Sequence, residues 1–149
     1  MKKTILTIIA VALVTLSYSQ SNKPQYYKQR TMLNKYILAN NKGTEEAFSQ
    51  FIKETYDPKL YKKINLKTHI DFYSMISKDF GRLKLEVYKK TEETTSRLVV
   101  HLIKESESIF NKNINPTEVL VVEMDFNKNN PSYLKKGMGL GALVCELKK

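Results

Sequence analysis

The apolar residues change period at Gly81, and no other feature constrains the fold as much. Before Gly81 they recur every three to four residues; after it they alternate. The first period marks helices with one buried face, the second marks strands on a sheet. Helices first and strands afterwards point to an α+β domain rather than an alternating α/β fold.

Three helices are predicted before the switch. From Gln25 to Asn41, Met32, Leu33, Tyr36 and Ile37 form one apolar stripe, and Gly43 suits the left-handed position that ends such a helix. Thr44 can cap a second helix with Glu45 and Glu46 in its first turn, where the helix dipole favours negative charge. Its apolar face is Ala47, Phe48, Phe51, Ile52 and Tyr56, and Asp57-Pro58 stops it. Leu60, Tyr61 and Ile64 read as an irregular link. Asn65 then caps a third helix, Leu66 to Phe80, closed by Gly81, with Leu66, Ile70, Tyr73, Ile76 and Phe80 on one face.

Four strands are predicted after it. Leu83, Leu85 and Val87 alternate with Lys84, Glu86 and Tyr88, and Thr91 to Ser96 read as a turn. Arg97 to Lys104 is apolar on both sides and is expected at the centre of the sheet. Val119 to Phe126 is the third strand, Asn127 to Lys136 a loop, and residues 138–147 a last strand whose Gly139 and Gly141 point to a bulge or close packing. The expected architecture is three N-terminal helices packed on a curved, mainly antiparallel sheet of about four strands.

The chain begins Met1-Lys2-Lys3, continues with an apolar run from Ile5 to Leu16, and reaches Ser17-Tyr18-Ser19. A positive start, a short greasy stretch and small residues at the cleavage positions read as a secretory signal over 1–19. The run is too short to span a bilayer with ease, which takes about 20 residues. Export to a periplasm or beyond is expected, with no transmembrane anchor after processing. Residues 20–29 are expected as a flexible lead and 30–149 as a single domain, long enough to bury a core without covalent staples. Cys145 has no second cysteine to pair with in the chain and reads as a small buried hydrophobe, with an intermolecular disulfide left open.

The 149 residues carry 25 basic and 15 acidic side chains, and removal of 1–19 takes only Lys2 and Lys3. The lysines are spread in pairs such as Lys62-Lys63 and Lys135-Lys136, interleaved with Glu92-Glu93, Glu105 and Glu107. That pattern reads as a solvated surface, and no nucleic-acid partner is expected.

Catalytic signatures are not evident. The chain has no Gly-x-Ser-x-Gly nucleophile elbow, no His-x-x-x-His, no Cys-x-x-Cys and no calcium loop, and no metal or cofactor is expected. His69, beside Thr68 and Asp71, and His101, between Val100 and Leu102, read as structural histidines. Glu123 and Asp125 share a strand face and could hold a proton or cation between them, but their place near a strand end reads as a solvated rim.

Leu33 to Gly43, followed by Ala47-Phe48-Ser49-Gln50-Phe51-Ile52 and Tyr56-Asp57-Pro58, resembles the opening of small NTF2-like (cystatin-like α+β cone) domains, with Thr44 where Asp is usual. The step Asp79-Phe80-Gly81-Arg82-Leu83 and the strand Met138-Gly139-Leu140-Gly141 are similar to NTF2-like domains found N-terminal to secreted serine hydrolases and peptidases. The resemblance spans about 30–147. It implies a cavity between helices and curved sheet, and a homodimer through the sheet's outer face. No hydrolase sequence appears before Lys149, so a free-standing version is expected. Tyr36, Tyr73, His101 and Glu123 are the residues expected to line a ligand site, and no catalytic residue is carried over.

The function expected is a secreted, non-enzymatic NTF2-like domain that binds a small apolar ligand or a protein partner. One alternative is a small cavity enzyme, isomerase or hydrolase-like, using His101 or Glu123 as base. The other is a basic polyanion-binding protein.

Overall fold

The computed structural model describes residues 27–84, 87, 89–107 and 117–144. The signal expected over 1–19, the rest of the lead, and Cys145 lie outside them. The expected α+β arrangement is what the structure has: helices come first and a four-stranded antiparallel sheet follows, in the order β1-β2-β3-β4.

Helix α1 covers 27–42 of the described residues. Its stripe Met32, Leu33, Tyr36 and Ile37 is buried as expected. Residues 27–29 are helical, within the helix expected from Gln25. The reason is Gln29, which is fully buried and donates from Nε2 to the carbonyl of Thr94 at 2.9 Å. At the other end of α1 the Asn41 side chain imitates a strand partner. Its Oδ1 accepts from the Leu83 amide at 2.7 Å and its Nδ2 donates to the Leu83 carbonyl at 2.8 Å. Gly43 then turns the chain at φ 65°.

Helix α2 (Glu45–Thr55) is capped by Thr44, whose side chain accepts from the Ala47 amide at 3.3 Å. The expected irregular link is instead a short helix, α3 (Pro58–Tyr61). Asp57-Pro58 both stops α2 and starts α3: Pro suits a first turn, where its missing N–H has no helical partner, and Asp57 caps it by accepting from Lys59 N at 2.8 Å. Helix α4 (Leu66–Phe80) has the predicted bounds, with Asn65 accepting from Thr68 N at 3.3 Å and Gly81 closing it.

The first strand is displaced from its predicted place. Strand β1 is Lys89–Glu93, whose residues 91–93 fall in the segment expected as a turn, while Leu83 makes an isolated bridge to Lys104. Residues 85, 86 and 88 lie outside the described set. Sheet pairing uses backbone groups, so a charged segment serves as an edge strand wherever the central strand needs a partner, and charges there protect the edge. Thr94 closes the turn, its Oγ1 accepting from Arg97 N at 3.0 Å and its N–H donating to the Arg97 carbonyl at 2.8 Å. At Gly139 the close packing is found, since a Cβ there would stand 3.3 Å from Glu123 Cβ, and the β3–β4 register runs unbroken; the ladder register shifts instead between Lys90 and Glu92 in β1.

Strand β2 (Arg97–Leu102) lies between β1 and β3 as predicted; β3 is Glu118–Asp125 and β4 is Gly139–Val144. Pairs such as Val100↔Val122 and Val122↔Leu140 carry one register across three strands. Leu98, Val100, Leu102, Leu120, Val122 and Met124 point to one face and join the core with the helices. Arg97, Val99, His101, Val121 and Glu123 alternate onto the other face.

The loop after β3 is also part of the core. Leu134 is fully buried and bridges both Tyr56 and Phe126, with its amide donating to the Thr55 carbonyl at 2.8 Å. One inserted leucine thus fastens the loop to the end of α2 and the end of β3.

Candidate functional site

The four residues expected at a ligand site fall on opposite faces of the sheet. Tyr36 and Tyr73 are buried on the helix side, within a cluster of rings. Tyr73 stacks on Phe48 at 5.8 Å, meets Phe51 edge-on at 5.8 Å and lies 6.0 Å from Tyr36. Rings at these separations pack directly on one another and join α1, α2 and α4 in one cluster. His101 and Glu123 alternate onto the far face. The structure brings Tyr36 to Tyr73 but brings neither to His101 or Glu123.

Glu123 is held by a cation. Arg97 Nη2 lies 2.9 Å from its Oε2, while Arg97 Nε reaches Glu92 Oε2 at 3.2 Å and Nη1 lies 3.9 Å from Asp125. Lys136 Nζ adds a contact to Asp125 at 2.7 Å. The two carboxylates noted by sequence are therefore neutralised by Arg97 and Lys136. Nothing in the linear sequence announces this, because the five residues come from β1, β2, β3 and the following loop. His101 is half-buried, and burial together with the Lys89 charge lowers its pKa from 6.5, so it stays neutral at pH 7.

The polar atoms inside the helix side form a short chain. The Tyr56 and Tyr73 hydroxyls lie 2.6 Å apart, and Tyr56 Oη lies 3.1 Å from His69 Nδ1. One assignment satisfies every atom: Tyr73 donates to Tyr56, and Tyr56 donates to a neutral His69 whose proton sits on Nε2. Burial raises both phenol pKa values, with the Met138 backbone acting in the opposite sense. Burial lowers that of His69. Gly137 allows the approach, since a Cβ there would stand 3.0 Å from Tyr56 Oη and 3.3 Å from His69 Cε1. Chemically the chain could pass a proton inward from half-buried His69, but its inner end meets the rings of Phe48, Phe51 and Tyr36. It fastens α4 to the end of α2. The one sequence signal for it is the i,i+4 spacing of His69 and Tyr73, which puts both on one helix face.

Open clefts lie at the surface seams. One of about 260 Å³ runs between α1, the end of α2 and residues 132–133; Tyr27, Met32 and Tyr133 supply apolar wall, and Thr31, Thr55 and Lys35 supply polar groups. Lys35 is paired there with Glu54 at 2.6 Å, an interaction that lowers the Glu54 pKa. A second, of about 490 Å³, lies where the β1–β2 turn meets the loop after β3, with Lys128, Lys135 and Lys136 on its walls. Sequence reasoning singled out neither, because each is assembled from segments far apart in the chain.

Among the described residues no group of three His, Cys, Asp or Glu side chains could hold a metal ion, and no helix is long and apolar enough to cross a membrane. Comparison with protein-family models, curated proteins and solved structures finds no match.

Proposed function

We propose that this chain is an exported, non-enzymatic binding module of the NTF2-like kind. Its ligand is a small amphipathic molecule seated in the cleft between α1 and residues 132–133. The observation that carries the reading is the packed ring cluster. The rings of Tyr36, Phe48, Phe51 and Tyr73 are in contact with one another, and the Tyr56 hydroxyl bonds to Tyr73 and to His69, so the rings of the tyrosines expected at a ligand site are already partnered. A ligand is therefore better accommodated at the helix–loop seam. The order of helices followed by an antiparallel meander supports the NTF2-like assignment, and the first 19 residues support export.

The cleft has the chemistry of a small-ligand site: mainly apolar walls and a few polar groups that fix orientation. The outer sheet face supports pairing with a second copy, since Leu143, paired with Val119 on that face, remains 48% exposed. Native mass spectrometry of the protein purified from its source tests both. Retained non-covalent mass that Tyr133→Ala strips, without loss of melting temperature, supports the ligand site. A bare mass, or retained mass untouched by Tyr133→Ala, overturns it. The same spectrum reports monomer or dimer.

A further inference from the structure

We infer that the cleft at the end of β3 is an oxyanion site for a phosphate or sulfate ester, gripped by Lys128 and Lys135. The inference does not depend on the amphipathic-ligand cleft, which lies on different residues.

The walls carry three ammonium groups, from Lys128, Lys135 and Lys136, and one carboxylate, Asp125. That carboxylate is already engaged. Lys136 contacts it at 2.7 Å and Arg97 at 3.9 Å, while the Asp125 carbonyl accepts from Lys135 N at 2.8 Å. Arg97 is in turn taken up by Glu92 and Glu123. Lys128 and Lys135 are left with no carboxylate partner among the described residues. Two exposed cations facing one concavity repel each other and favour an anion between them.

The frame that holds them is fixed. Asn127 N donates to the Tyr133 carbonyl at 2.9 Å, Tyr133 N to the Asn130 carbonyl at 3.1 Å, and Asn129 N to Asn127 Oδ1 at 2.9 Å. Asn127 Nδ2 donates to Asp57 Oδ2 at 2.7 Å, and Leu134 anchors the far end in the core. Only the two lysine side chains need to be ordered on binding, which keeps the entropic cost low. At about 490 Å³ the cleft exceeds what a bare oxyanion fills, and Asn129 and Ser96 on its walls offer polar contacts for the remainder of a sugar or headgroup.

Such an ester could come from a soluble sugar phosphate or from an anionic lipid headgroup. The test is titration of the ¹⁵N-labelled protein with glucose 6-phosphate, and separately sedimentation with vesicles of phosphatidic acid in phosphatidylcholine. Saturable amide shifts centred on Lys128, Asn129 and Lys135, or vesicle binding, is expected. The double variant Lys128→Ala/Lys135→Ala should weaken either at least tenfold, while Lys62→Ala/Lys63→Ala leaves it unchanged. A soluble-only response identifies a free ligand, and a vesicle-only response identifies the lipid. Absence of saturable binding in both arms overturns the inference. So does equal loss in the two double variants.

Discussion

The hydroxyls of Tyr56 and Tyr73, 17 residues apart in the chain, meet at 2.6 Å inside the protein. Tyr56 sits just past the end of α2 and Tyr73 in the middle of α4, so a single shared proton joins two elements that otherwise touch through apolar surface. His69 completes the chain on the outside.

The two phenols should therefore be unequal. Tyr56→Phe removes the central oxygen and leaves both the Tyr73 proton and His69 Nδ1 without their partner. A buried polar group left unpaired costs about 1–3 kcal/mol. Tyr73→Phe leaves the Tyr56–His69 bond intact and should cost less. The double variant should be little worse than Tyr56→Phe alone, giving a coupling of about 1 kcal/mol in a urea-denaturation cycle. Strict additivity would show that the hydroxyls do not interact.

Stability should fall with acid in a window set by the histidines. Burial lowers the pKa of His69 and of His101 below 6.5 in the folded protein. The unfolded chain then binds more protons between the folded pKa values and 6.5, so stability rises with pH across that window. It is fully present above about 6.5 and is lost as pH falls through that value. His69⁺ also reverses its bond to Tyr56, because both ring nitrogens then donate. Melting temperatures measured from pH 7.5 to 5 should decline, and His69→Gln should flatten the decline in part, with His101→Gln removing the rest. The lowered carboxylate pKa values of Glu54 and Asp57 act in a separate, more acidic window.

Phe51 tests the phase of α2. Its ring is 3% exposed and packs 5.8 Å from both Tyr36 and Tyr73. Phe51→Ala opens a cavity in the ring cluster and should cost about 3–5 kcal/mol in chemical denaturation. A loss under about 1 kcal/mol would place the ring outside the core.

Local chemistry made the helical half legible. Thr44 and Asn65 accept from the amides three residues on, and Gly43 and Gly81 adopt positive φ, because these residue types carry the end of a helix in themselves. The central strands were legible too, since β2 and β3 bury Val, Leu and Met in alternation. Strand β1 was not. Lys89–Glu93 is held by its neighbour's backbone and by Arg97 on Glu92, and a charged edge has no apolar period to reveal it. The same limit hid the candidate sites. Tyr133 faces α1, and Lys128 and Lys135 share a cleft with Ser96, only because Leu134 pins the intervening loop.

Gly81 gives the sharpest single-residue test of the junction between helices and sheet. It adopts φ 81° and ψ −159°, a region that only glycine occupies without strain. A Cβ at Gly81 would meet nothing within 4 Å, so any penalty is conformational rather than steric. The turn cannot relax easily, because the Gly81 carbonyl accepts from Asn40 Nδ2 at 2.9 Å and Leu83 is clasped by Asn41 two residues later. Gly81→Ala should cost roughly 1–3 kcal/mol. Gly81→Asn should lose as much in the same denaturation assay, because asparagine tolerates the left-handed helical region and not this one. Equal stability of glycine and alanine would mean that the chain leaves α4 by another path.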